Sequence, residues 1–135
     1  MANIFEVCQE LKTIIENAYN EGVTIQDAER LAAKTLVVRI DLSQELKVVD
    51  LDSRMKKHGV KVTRADAYME EIKKHDKKPV ESFLEAAVTM NGNVIEAEHD
   101  YAKADVHREM IHNYLDIFKD AHIYFRGIAK GTYEA

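Results

Sequence analysis

The chain reads as an all-α fold, a long antiparallel helical hairpin with short accessory helices, and three observations carry that reading. Apolar residues recur at alternating spacings of three and four along most of the chain, which places them on one face of an α-helix. Turn-forming material is scarce: the 135 residues hold one Pro, five Gly and no Trp, too little for a turn-rich β fold. The two longest repeats, 24–59 and 93–127, have matched lengths of about 34 residues, roughly 50 Å of helix each, as the two arms of a hairpin would. With 46% apolar and 32% charged residues, one helical domain over 1–135 can bury a core without staples.

Ile4, Val7, Leu11, Ile14, Ile15 and Ala18 form the stripe of a short first helix, capped by Asn3 and ended by Gly22. Thr24, with Asp27 three residues on, starts the second helix in a variant of the capping box. Its seam is Ala28, Leu31, Thr35, Val38, Leu42 and Val49, and Gly59 is expected to end it. Ala32, Leu36, Val37, Ile40, Leu46, Val48 and Leu51 widen the apolar surface beyond what one partner helix covers. That excess predicts contact with several neighbouring helices or with another subunit, and the expectation taken from it is a homo-oligomer. Residues 60–92 read as a basic connector with short helices: one from Thr63 or Asp66 to about His75, another opened by Pro79 in its first turn. Asn91-Gly92-Asn93 is a break or a kink. Beyond it Val94, Ala97, Tyr101, Ala104, Arg108, Ile111, Leu115, Phe118, His122 and Phe125 make an unbroken three-four alternation.

Charge is distributed unevenly. Nine of the nineteen Lys and Arg fall between Arg54 and Lys78 with four acidic residues, so this window carries +5 while the whole chain carries −5. A basic sector on an acidic body is the electrostatic footprint of a polyanion site; the alternative is a solvated connector. Lys61, Arg64 and Tyr68 combine cations for phosphate with a flat ring for a base, the mixture that single-stranded nucleic acid requires. Lys56, Lys57, Lys73 and Lys74 add to the field. Tyr68 can equally pack on Ile72, since aromatics on a helix face commonly belong to the core.

The other constellations point away from catalysis. Glu96-x-x-His99 and Glu109-x-x-His112 have the spacing of di-iron bundle motifs, yet both lie on one helix about 20 Å apart and cannot share a metal. Glu70, Glu71, Glu81, Glu85, Glu96 and Asp100 supply carboxylates but no repeated pattern for magnesium-dependent hydrolysis. The glycines form no phosphate loop, no Ser has a nucleophile elbow, and Cys8, the one cysteine, reads as a small buried side chain in a reducing compartment. The expectation is a non-enzyme without cofactor or metal. No stretch has the length or apolarity of a leader or membrane span, which predicts a soluble cytoplasmic protein away from membranes.

The segment containing Lys61, Arg64, Asp66 and Tyr68 resembles the UvsY-like recombination mediators of tailed phages, whose Lys-x-Arg-x-Asp-x-Tyr pattern it matches with one extra residue between the cations. The last helix is similar too: an acidic start at Glu96, Glu98 and Asp100, apolar heptads, then Tyr124-Phe125-Arg126-Gly127-Ile128 in place of the family's terminal Arg-Gly-Phe/Ile step. The resemblance extends over about residues 24–130 in organisation, with Asn91-Gly92-Asn93 and the Pro79 helix as departures. It implies an accessory protein that assembles into a ring-like homo-oligomer, binds single-stranded DNA and loads a strand-exchange recombinase against a single-strand-binding protein, in the host cytoplasm if phage-encoded. The competing expectation is a helical adaptor or inhibitor that grips a protein partner through Leu36, Ile40 or Val48 without nucleic acid.

Overall fold

A computed structural model of the chain describes residues 3–131. Met1 and Ala2, part of the segment read as lacking a leader, lie outside the described residues. Four helices follow one another, α1 (Ile4–Glu21), α2 (Ile25–Lys73), α3 (Glu81–Met90) and α4 (Gly92–Ala129). No strand occurs among the described residues. The fold is all-α, with α2 and α4 as the long antiparallel pair and α1 and α3 as short accessory helices. Both long helices pass through two compact units, one holding the chain up to Lys47 and from Met110 onward, the other Val48–Glu109.

In the first unit α1 begins where the Asn3 side-chain oxygen accepts the Phe5 N–H at 2.8 Å. It stops at Gly22, whose φ of +80° is open only to glycine without strain and whose N–H reaches the Ala18 carbonyl. Cys8, Leu11, Ile15 and Ala18 form its buried face. The helix runs in the direction of α4, since Phe5 meets Tyr114 at 6.3 Å between ring centres and Tyr19 meets Phe125 at 5.7 Å. Thr24 opens α2 by accepting the Asp27 N–H on its hydroxyl at 3.1 Å. The core is then closed by Ala28, Val38 and Leu42 of α2 with Ile111, Phe118, Ala121, Phe125 and Ile128 of α4. Burying each of the two Phe rings stabilises by about 1.5–3 kcal/mol relative to exposure. His122 adds a directional tie: its Nδ1 lies 2.9 Å from the Ala32 carbonyl, so that nitrogen carries the proton and donates. Thr35, fully buried, donates its hydroxyl to the same carbonyl.

The second unit packs the remainder of α2 against α3 and the first half of α4. Ala67, Val88 and Val94, one from each helix, make a buried cluster against which Tyr68 lies. Leu84, Val49 and Ala104 are buried as well. Asn91 separates α3 from α4 by serving both: its N–H closes α3 on the Val88 carbonyl, and its side-chain oxygen accepts the N–H groups of Asn93 and Val94. The tripeptide is therefore a break. All ten positions of the repeat from Val94 to Phe125 are buried or half-buried, Arg108 and His122 included.

Three boundaries differ from the sequence reading. Gly59 does not end the second helix, which continues to Lys73, so 60–73 is helix and not connector. The two long helices are unequal, 49 and 38 residues. Pro79 stands just before Val80, the N-cap of α3, and not in the first turn. The reason at Gly59 is a comparison of costs: a helical Gly costs about 1 kcal/mol against Ala, whereas a helix end leaves four carbonyls in need of partners. No residue near Gly59 offers a left-handed cap; among the described residues only Gly22 and Gly131 have positive φ.

Two outcomes follow from this geometry. A Cβ at Gly59 meets nothing within 4 Å, so Gly59→Ala is expected to raise stability by about 0.5–1 kcal/mol in urea unfolding. Burial pushes the Cys8 thiol up to about 11. Below the unfolded thiol's pKa near 8.5 its stabilising contribution is complete, and it is lost as pH rises toward the folded value. Native protein should therefore resist alkylation at pH 8, and the parent should lose stability between pH 8.5 and 11 faster than Cys8→Ala does.

Candidate nucleic-acid interface

Continuity through Gly59 puts the basic window in one helical register. Arg54, Lys57, Lys61, Arg64 and Tyr68 follow at steps of three, four, three and four. By the helical repeat they fall within a sector of about 80°, and the row covers roughly 21 Å of axis. Arg54, Lys57 and Lys61 are exposed; Arg64 and Tyr68 are half-buried where the row approaches α3 and α4. Neighbouring members stand about 5–6 Å apart at Cβ, close enough for one flexible polyanion to touch several in succession.

Of the residues singled out in the sequence, Lys57, Lys61, Arg64 and Tyr68 share this face. Lys56 points elsewhere, roughly a third of a turn away, and holds Asp52 at 3.2 Å. Lys73, the last residue of α2, is also off the row, and Lys74 sits in the turn beyond it, 3.4 Å from Glu71. The hydrogen bond from His75, with help from Lys74 and against partial burial, lowers the Glu71 carboxyl from its ordinary value. Arg54 was outside the expected set and belongs to the row; reading the three-four spacing across Gly59 finds it.

Two carboxylates from the other helices meet the inner end of the row. Glu98 of α4 accepts from Arg64 at 3.0 Å, and Glu81 of α3 accepts the Tyr68 hydroxyl at 3.0 Å. Both contacts are at the surface, and an exposed ion pair contributes only about 0.2–1 kcal/mol. A phosphate can displace Glu98 at small cost. Tyr68 is more constrained: its ring lies on the Ala67, Val88 and Val94 cluster, and the Lys78 ammonium stands 6.0 Å from the ring centre. The ring packs on Ala67, Val88 and Val94, where the sequence reading had Ile72 as its neighbour.

Glu96, His99, Glu109 and His112 are all exposed. Among the described residues no three His, Cys, Asp or Glu side chains converge as a metal site, and no helix is long and apolar enough to cross a membrane. Comparison of the chain with protein-family models, with curated proteins and with solved structures gives no match.

Because Tyr68 packs as well as presents a ring, Tyr68→Ala is expected to lower stability by about 1–3 kcal/mol, less than a fully buried aromatic loses. Tyr68→Phe keeps the ring and gives up only the bond to Glu81, a change of about 1 kcal/mol. Thermal or urea unfolding of the two variants measures the difference.

Proposed function

We propose that this chain is a non-enzymatic single-stranded-DNA-binding protein that acts as a recombination mediator, helping to load a strand-exchange recombinase against a single-strand-binding protein. The observation that carries the reading is the row of four cations and a tyrosine at heptad spacing on one face of α2. Its cations neutralise phosphates and release counterions, and a base that displaces the Lys78 ammonium from over the Tyr68 ring gains a face to stack on. The resemblance to the UvsY-like mediators supplies the recombinase-loading role, the protein partners and the cytoplasmic setting. Self-assembly belongs to the same proposal: Ile40, Val48 and Leu51 of α2 stay exposed in the single chain, and repeating a weak site around an oligomer raises its effective concentration.

A second reading is favoured by one feature of the first unit. Leu36, Ile40 and Leu115 line a groove of about 350 Å³, as an adaptor that binds a protein partner without nucleic acid would need. Ile40→Asp abolishes capture by that route and leaves the cation row untouched.

The deciding measurement is a salt series of binding to fluorescein-labelled oligo-dT. Replacing Lys57, Lys61 and Arg64 by Ala should flatten the slope of log affinity against log salt by about 0.7 for each phosphate left without its cation, roughly 2 in all. Parent protein that shows no binding at low salt leaves the adaptor reading; a triple variant that folds and binds like the parent removes the row as the site.

A further inference from the structure

Continuity of α2 exposes a second register that the single chain leaves without a partner. Starting at Val48, positions at steps of three and four are Leu51, Met55, His58, Val62, Ala65 and Met69, and every one of them is exposed. Val48 is 63%, Leu51 60% and Met55 65% accessible, values at which a globular surface seldom keeps aliphatic side chains in a row. The stretch makes three heptads, with Val48, Met55, Val62 and Met69 at a and Leu51, His58 and Ala65 at d. That is the minimum length at which an a/d pattern argues for a coiled coil.

The flanks of this seam are segregated by charge. The g positions are Lys47, Arg54, Lys61 and, beside the last a position, Tyr68; the e positions are Asp52, Gly59 and Asp66. In a parallel pair of helices each g residue faces the e residue five positions further along its partner, which matches Lys47 to Asp52 and Lys61 to Asp66 of the second copy. An antiparallel pair sets g against g and e against e, which brings cations to cations and carboxylates to carboxylates. Among the described residues neither Lys61 nor Asp66 has an ion pair within the chain, so both are available. Asp52 is engaged by Lys56 in an exposed pair that yields readily.

We infer that the Val48–Met69 face of α2 docks on the same face of a second copy of this chain, with the two helices parallel and in register. The inference rests on the self-assembly proposed above and adds its interface and orientation. Arg54, Lys61 and Tyr68, at g positions, are shared between the rim of this seam and the row, whereas Lys57 and Arg64, at c positions, stay clear of the partner. Parallel pairing therefore sets two cation rows side by side, pointing the same way along the axis.

Cysteine cross-linking of the full chain tests this. In a Cys8→Ala background, Leu51→Cys and Met69→Cys are 18 residues, or about 27 Å, apart on the helix. A disulfide needs Cα atoms within about 7 Å, so parallel in-register helices link 51 to 51 and 69 to 69 about tenfold or more faster than 51 to 69 in a mixture of the two variants. Charge exchange is the second arm. Lys61→Asp should weaken self-association roughly tenfold by setting two carboxylates against one another, and adding Asp66→Lys should restore it. A monomer in solution overturns the self-assembly proposal together with this interface. An oligomer that forms the 51–69 link, or none of the three links, overturns the interface alone.

Discussion

The unbroken hydrogen-bond ladder of α2 across Gly59 is the constraint on which the second unit depends. Beyond that glycine the helix is held by Ala67, which meets Val88 of α3 and Val94 of α4 in one buried cluster. The cluster is small, and each member removes little area from water. It suffices because the competing arrangement would have to satisfy the carbonyls of a helix end and the N–H groups of a new start, without a cap at either. Thr63, which looks like an N-cap in the sequence, donates its hydroxyl back to the Gly59 carbonyl at 2.8 Å and so spends its capping potential inside the helix.

That continuity turns a charged window into surfaces with defined faces. Over Val48–Lys73 the buried side carries Val49, Ser53 and Ala67, the next carries Arg54, Lys57, Lys61 and Arg64, and a third carries the exposed aliphatics from Val48 to Met69. Each face follows from the 3.6-residue repeat. Electrostatics alone would not have ordered the cations, because the local pairs Arg54–Asp50 and Lys56–Asp52 and the Arg64–Glu98 pair to α4 are all exposed and individually weak. Packing on one face of the helix orders the other two.

How far the sequence could be read depends on which signal was redundant. The caps at Asn3, Thr24 and Gly22 combine the right residue type with the start or end of an apolar stripe, and they are where they were expected. The α4 repeat is long enough that two polar members, Arg108 and His122, did not obscure it. Each finds a polar partner, Asp105 on the same helix and the Ala32 carbonyl on α2. At Gly59 the signals conflicted, because glycine and the following polar residues resemble a stop and a restart while the three-four spacing runs straight through. Taking the glycine as the stronger signal shortened α2, split the cation row and hid the aliphatic seam. Pro79 misled by two residues for a related reason: φ fixed near −65° suits both the first helical turn and the extended residue before a cap.

The candidate site was legible as a composition before it was legible as a geometry. The excess of Lys and Arg from Arg54 to Lys78 identified the sector, but part of it is spent locally: Lys56 on Asp52, Lys74 on Glu71, Lys78 over Tyr68. What remains is a row whose strength in one chain is modest, since a handful of phosphate interactions weakens steeply as salt rises. A single α2 would bind single-stranded DNA weakly and release it quickly. Copies paired along the aliphatic seam would hold their rows in fixed register, so a strand engaged by one copy meets the next at high effective concentration. In the proposed assembly the same helix would supply both the contact to the strand and the contact between copies, and the acidic remainder of each chain would repel neighbouring phosphates that the rows do not grip.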